Sequence, residues 1–105
     1  MKIELLYFDG CPNWQAVLEE IKGLLTAKGL DDQVDLIQVA SNQEAESLEF
    51  PGSPTIRIDG EDVELDISTS SFQLACRIYE VDGKLQGMPP KEWIDAALDA
   101  AAAFE

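Results

Sequence analysis

The first third of the chain constrains the fold more than any other part. Residues 2–8 (KIELLYF) form a near-continuous apolar run through Ile3, Leu5, Leu6, Tyr7 and Phe8, the pattern of a strand covered on both faces. Asp9 and Gly10 break that run and Pro12 fits the first position of a helix. Trp14, Val17, Leu18, Ile21, Leu24 and Leu25 then recur at helical spacing. Gly29 is placed to end the helix in the left-handed conformation that glycine adopts at little cost. A second apolar segment, residues 33–39 (QVDLIQV), follows. Two strands joined by a helix of this length become parallel neighbours with a right-handed crossover, which makes the chain an α/β protein.

Residues 41–50 are polar with a few apolar anchors and suit a short helix beginning at Ser41 or Asn42. After Pro51-Gly52-Ser53-Pro54, residues 55–58 alternate Ile56 and Ile58 with Thr55 and Arg57, and Asp59-Gly60 is a hairpin pair. Its return strand has two candidates. Residues 61–67 alternate Val63, Leu65 and Ile67 with acidic residues, whereas residues 74–81 (LACRIYEV) are more apolar and lie beyond the Ser/Thr-rich stretch 68–71. The second is the preferred edge strand, leaving 61–73 as a loop or short hairpin arm. Pro89-Pro90 then starts a terminal helix with Trp93, Ile94, Ala97, Leu98, Ala101 and Phe104 on one side. The expected sheet order is second, first, third, fourth strand, with the last two antiparallel to the first pair. No repeat or linker divides residues 1–105, which read as one domain.

Charge and composition bound the partners. With 21 Asp and Glu against 7 Lys and Arg, a formal charge of -14 repels nucleic-acid phosphates and anionic lipid. Salt limits that repulsion to roughly 8 Å at physiological ionic strength. No run approaches the roughly 20 apolar residues of a membrane span, and the first residues lack the apolar core and cleavage site of a secretory signal. The expectation is a cytoplasmic protein with neither nucleic-acid nor membrane partners, whose Cys11 and Cys76 a reducing compartment keeps as thiols. With no histidine and two cysteines, the ligands for a closed four-ligand zinc site are lacking. The acidic stretch 61–66 lacks the glycine-punctuated spacing of a calcium loop and reads as a solvated loop. A soft ion, mercury or copper(I), on two thiolates is the minor reading, and no metal or other cofactor is expected.

Cys11 stands just before Pro12 at a helix start, where unpaired N–H groups and the positive dipole end favour thiolate over thiol. An unperturbed thiol of pKa about 8.5 is only roughly 3% ionised at pH 7, and a dipole contribution of about 0.3–1 kcal/mol raises that several-fold at most. Asp9 and the overall negative charge oppose ionisation, and no histidine is present to act as a base. On the residues alone, Cys11 is either a reactive thiol or a small buried residue capping a turn. Pro54 opens a strand where it removes no interior ladder bond. Only about 5–6% of X-Pro bonds in folded proteins are cis, so a trans bond is the default there.

The order of strand, helix opening at Cys-Pro, strand, Ser-Pro-Thr opening a strand, hairpin and terminal helix resembles the thioredoxin and glutaredoxin family. The resemblance covers residues 2 to about 103, with 61–73 fitting loosely. It implies a three-layer sandwich, a four-stranded mixed sheet flanked by helices on both faces. It also implies that Cys11 is the nucleophile and Pro54 the cis-proline facing it, in a substrate groove shaped by Pro12, Trp14, Ser53, Pro54 and Thr55. In that family the backbone of the residue before the proline, here Ser53, pairs with a bound peptide or thiol. The departure is Cys11-Pro12-Asn13-Trp14, where dithiol members carry a second cysteine in place of Trp14. An indole cannot resolve a mixed disulfide, and Trp14 is expected to pack or to lie over the site.

The implied function is a small cytoplasmic monothiol oxidoreductase acting on protein or small-molecule disulfides and thiols, with an external thiol such as glutathione completing turnover. The cations that glutathione binding leans on are few: Arg57, Arg77 and scattered lysines. Two alternatives stand beside it: Cys76 as resolving thiol, and a redox-inactive module that recognises an extended segment beside Pro54. Cys76 alternates with Leu74 and Ile78 and is expected to face a packed surface as a buried core cysteine. An edge strand there is expected to lie beyond the roughly 7 Å of Cα separation that a disulfide tolerates. Trp93 reads as core, and alternation does not fix the side on which Tyr7 lies.

Overall fold

In the computed structural model, which describes residues 1–64, 72 and 74–103, strand β1 (Ile3–Tyr7) occupies the middle of a mixed sheet. The β-rich run 2–8 gives β1 two partners. Strand β2 (Val34–Gln38) pairs in parallel with Leu5 opposite Leu36, and β3 (Thr55–Ile58) pairs antiparallel with Leu5 opposite Ile56. Helix α1 (Asn13–Ala27) is the crossover between β1 and β2, as the first third of the sequence predicts. It ends at Lys28, after which Gly29 takes a φ of 68°. The Gly29 N–H then donates to Thr26 O (3.1 Å) and the Leu30 N–H to Leu25 O (2.9 Å), closing the helix as a glycine cap does. A short helix α2 (Asn42–Ser47) begins where Ser41 Oγ accepts from the Glu44 N–H, while Glu44 Oε2 accepts from the Ala40 N–H, both at 3.1 Å.

Successive strand residues face opposite sides, and β1 uses both. Ile3 and Leu5 join Val17, Ile21, Leu24 and Leu25 of α1, Ile56 and Ile58 of β3, and Ile94 and Leu98 of helix α3 (Lys91–Ala102) in one buried cluster. Leu6 joins Val39, Phe50 and Ala45 of α2 in another. The chain is therefore an α/β protein with a four-stranded mixed sheet and three helices, α1 and α3 packed with one face of β1 and α2 with the other. Among the described residues no helix is long and apolar enough to cross a membrane.

The return strand differs from expectation. Asp59 (φ 52°) and Gly60 (φ 86°) form the two left-handed positions of a tight hairpin turn, and β4 (Glu61–Asp62) follows at once, with Ile58 opposite Glu61 and Arg57 opposite Asp62. The Val63 N–H extends the pairing to Ile56 O (3.1 Å). The short arm within 61–73, not residues 74–81, is the fourth strand of the order β2-β1-β3-β4. A two-residue turn leaves the chain already in register, so the nearer segment pairs despite its acidity. Being antiparallel to β3, β4 runs in the direction of β1 and β2, which corrects the expectation that both last strands oppose the first pair. Asp82 (φ 52°) and Gly83 (φ 81°) repeat the Asp-Gly turn and join β5 (Tyr79–Val81) to β6 (Lys84–Gln86) in a separate two-stranded sheet. The expectations for Leu65, Asp66, Ile67, residues 68–71 and Phe104 lie outside the described residues.

Candidate functional site: a disulfide beside a cis-proline

The Cys11 N–H donates to Phe8 O (3.0 Å), closing the turn through Asp9-Gly10, and Pro12 caps α1. This sets the cysteine at the opening of the helix and leaves it only 1% exposed. Ahead of β3, the Ser53–Pro54 peptide bond is cis, against the trans default. Pro54 O accepts from the Tyr79 hydroxyl (2.6 Å), and the Thr55 hydroxyl donates to Gly52 O (2.6 Å). Cys11 Sγ lies 3.7 Å from Ser53 O, so the two loops meet.

Cys76 joins them. The Ser53 N–H donates to Ala75 O and the Arg77 N–H to Ser53 O, both at 2.8 Å, a parallel bridge that uses both main-chain polar groups of Ser53. Cys11 and Cys76 are disulfide-bonded across a sequence separation of 65, with Cα atoms 5.7 Å apart. This corrects three expectations: the two cysteines are not held as thiols, Cys76 is not a buried core cysteine, and its segment is not beyond reach of α1. Cys76 is exposed and Ile78 is 65% exposed, while Arg77 (5%) and Tyr79 face inward. Leu74 packs against the cluster around Phe50, but from Cys76 onward the alternation turns the other face inward, because the buried arginine is paired with Asp62 and Glu64.

Arg77 Nη1 donates to Thr55 Oγ1 (3.1 Å) and Asp62 Oδ2 (2.8 Å), and Nη2 donates to Asp62 Oδ1 (3.1 Å) and Glu64 Oε1 (2.9 Å). Its guanidinium carbon sits 4.3 Å from the centroid of the Tyr79 ring. Burial opposes the Arg77 charge, but Asp62, with Tyr79 and Glu64, outweighs this and holds the group above the ordinary arginine value. Burial pushes the Tyr79 phenol well above its ordinary range, against the pull of Arg77. Gly52 (φ 137°) makes the approach possible: a Cβ there would lie 2.9 Å from Arg77 Cβ and 3.0 Å from its N and Cα. Ser53 Oγ is buried and has no hydrogen-bond partner among the described residues.

The remaining expected residues fall around this centre. Trp14 stacks on Tyr7, with ring centroids 4.2 Å apart and planes at 24°, so Tyr7 is engaged with the indole. Trp93 packs against the main core and meets Tyr79 edge-on at 6.2 Å. Of the two arginines considered for glutathione, Arg77 is paired with Asp62 and Glu64, whereas Arg57 Nη2 donates to the main-chain Glu49 O (2.9 Å). Among the described residues no group of three or more His, Cys, Asp or Glu could hold a metal ion. A groove of about 980 Å³ along α3 and the β3–β4 turn includes Asp62 and Glu64 but neither cysteine nor Ser53 or Pro54. Arg77, Tyr79, Asp62 and Glu64 were beyond the reach of motif spacing. Their one sequence signal is an arginine set among apolar residues in 74–81, which needs acids, and 61–64 supplies them. No protein-family model, curated protein or solved structure matches the chain.

Proposed function

We propose that this protein is a small thiol–disulfide oxidoreductase of thioredoxin-like three-layer architecture whose working couple is Cys11–Cys76. The observation that carries the reading is the disulfide itself, which joins the opening of α1 to a strand paired with Ser53 beside the cis bond to Pro54. The sheet order β2-β1-β3-β4 and helices on both faces of β1 support the architecture. A second thiol within bonding distance replaces the monothiol cycle with a dithiol one.

The exposures favour Cys76, in place of the expected Cys11, as the sulfur that exchanges with external thiols. Cys11 is shielded and Cys76 is exposed, so an external thiolate attacks Cys76 Sγ. The new bond is RS–Sγ of Cys76, the Cys11–Cys76 bond breaks, and Cys11 leaves as thiolate at the start of α1. There the first-turn N–H groups favour the anion, while Ser53 O, 3.7 Å away, accepts from the protonated thiol. A second external thiolate then attacks the sulfur of RS, releasing RSSR and the Cys76 thiolate. Two electrons pass to the protein, and the reverse sequence passes them to a substrate disulfide. The Ser53 hydroxyl beside the couple, which has no partner among the described residues, is a polar group that an open dithiol can satisfy. A cytoplasmic setting fits, because disulfides found there are usually transient and catalytic.

The pairing of Arg77 with Asp62 and Glu64 removes one of the two arginines from a glutathione site, which favours protein or small dithiol substrates. Recognition of an extended segment at Ser53 without exchange is less well supported, since residues 75–77 already take both main-chain groups there. Reduction of a protein disulfide substrate, with dithiothreitol as electron source, separates catalysis from a purely structural disulfide. Turnover by the parent, lost in C11S and in C76S, is the expected result. Equal rates in parent and C11S would refute the reading.

A further inference from the structure

We infer that Arg77 is a positioning residue for the dithiol, holding the 75–77 strand against Ser53 while the disulfide is open so that Cys76 stays within reach of Cys11. The inference rests on the oxidoreductase reading above and adds what keeps the couple intramolecular. Cys11 belongs to the turn into α1, whereas Cys76 belongs to an extended segment outside the four-stranded sheet, bridged to Ser53 and 65 positions later. Apart from the disulfide, among the described residues that segment is tied down by two main-chain bonds to Ser53, by the Leu74 N–H donating to Asn42 Oδ1 (3.0 Å), by the Tyr79 hydroxyl donating to Pro54 O (2.6 Å), and by Arg77. The four guanidinium hydrogen bonds reach Thr55 of β3, Asp62 of β4 and Glu64 just beyond it. None involves a sulfur, so reduction breaks none of them. A two-pronged arginine–carboxylate contact in a buried setting is among the strongest a side chain makes and among the most costly to open.

The consequence lies in the resolving step. When an external disulfide RSSR has left RS on Cys76, the Cys11 thiolate attacks Cys76 Sγ, the Cys11–Cys76 bond forms, the bond to RS breaks, and RS⁻ leaves and takes up a proton. How far this runs depends on the effective concentration of one sulfur at the other. A flexible tether supplies about millimolar, and an oriented contact can supply many orders of magnitude more. Arg77 makes the difference between these regimes.

The test is redox equilibration with reduced and oxidised glutathione, read by alkylation and mass spectrometry, on parent, R77K, R77M and the D62N/E64Q double variant. Circular dichroism first selects the folded proteins. The parent is expected to close without accumulating adduct. In R77M and D62N/E64Q the equilibrium constant for closure is expected to fall at least tenfold, about 30 mV towards easier reduction, with a single glutathione adduct appearing. R77K, which keeps the charge but not the fork, is expected to fall between. Folded variants that close within twofold of the parent and show no adduct would overturn the inference. So would failure of every variant to fold, because Arg77 would then serve folding alone. A parent that does not exchange with glutathione or dithiothreitol at all is a different result, and sinks the oxidoreductase reading itself.

Discussion

One missing methyl group at Gly52 decides whether the site can assemble. An alanine Cβ at that position meets the backbone of Arg77 at 3.0 Å, and its φ of 137° is one that side chains with a Cβ rarely adopt. Backbone cannot swing aside as a flexible side chain would, so the 75–77 strand has to move and the two 2.8 Å bonds to Ser53 are lost. Each such bond is worth about 0.5–1.5 kcal/mol. G52A is therefore expected to hold a smaller fraction of its molecules in the Cys11–Cys76 disulfide at a fixed dithiothreitol ratio, measured by alkylation and mass. Tyr79 acts on the other side of the same turn. Y79F leaves Pro54 O buried without its 2.6 Å donor, at a cost of about 1–3 kcal/mol in urea unfolding. The pH dependence follows from burial, which raises the folded phenol above its ordinary value of 10.0. The folded state thus keeps a proton that the unfolded chain gives up. The stability this group contributes is fully present below about pH 10 and is lost above it, by about 1.4 kcal/mol per pH unit. Urea midpoints of the parent are expected to fall more steeply above pH 10 than those of Y79F.

At the level of elements, two helix ends use the same closure with different residues. After α1, Gly29 adopts a φ of 68° with open space around its missing Cβ; after α2, Glu49 adopts 53°, and the Phe50 N–H returns to Ala45 O (2.8 Å) as Leu30 returns to Leu25. A left-handed conformation costs a non-glycine residue about 1–2 kcal/mol. G29A is expected to lower stability by about 1 kcal/mol and E49G to raise it by somewhat less, since glycine also gains freedom in the unfolded chain. Thermal melts of the oxidised proteins give both values. The elements themselves differ in how legible they are. Strands β1 and β2, α1, α3 and the Asp59-Gly60 turn announce themselves, because apolar spacing and turn chemistry are local signals. Residues 74–81 misread because periodicity assigns the apolar side inward. Here the inward positions are Arg77 and Tyr79, and Ile78 faces solvent. That choice depends on Asp62, Glu64 and Thr55, which only the fold brings alongside. The Cys11–Cys76 pairing depends on the same placement, so it was legible only as one of three alternatives. Pro54 was singled out by its context, but its cis geometry entered through resemblance, not through any local rule.

For the whole molecule, the disulfide couples folding to redox state. It closes a loop of 65 residues, which in the chain-entropy account removes about 4 kcal/mol from the unfolded ensemble. Folding and oxidation form a closed thermodynamic cycle. The amount by which the disulfide stabilises the folded state must therefore equal the amount by which folding favours closure of the disulfide. About 4 kcal/mol corresponds to roughly three powers of ten in the closure constant, or about 90 mV. Urea unfolding with and without reductant measures one side of the cycle; equilibration with glutathione in native buffer and in strong denaturant measures the other. The oxidised form is expected to be more stable by about that amount, and the native couple correspondingly harder to reduce than the unfolded one. Equal stabilities of the oxidised and reduced proteins would contradict both. If the reduced native state lets the 75–77 segment go, closure is less favoured in the folded protein and oxidised and reduced proteins differ by less than chain entropy, because the released state is populated only where it lies below the held one. If Arg77 holds the strand, the difference stays near the chain-entropy value. The size of the gap thus reports how much of the site survives the opening of its own bond.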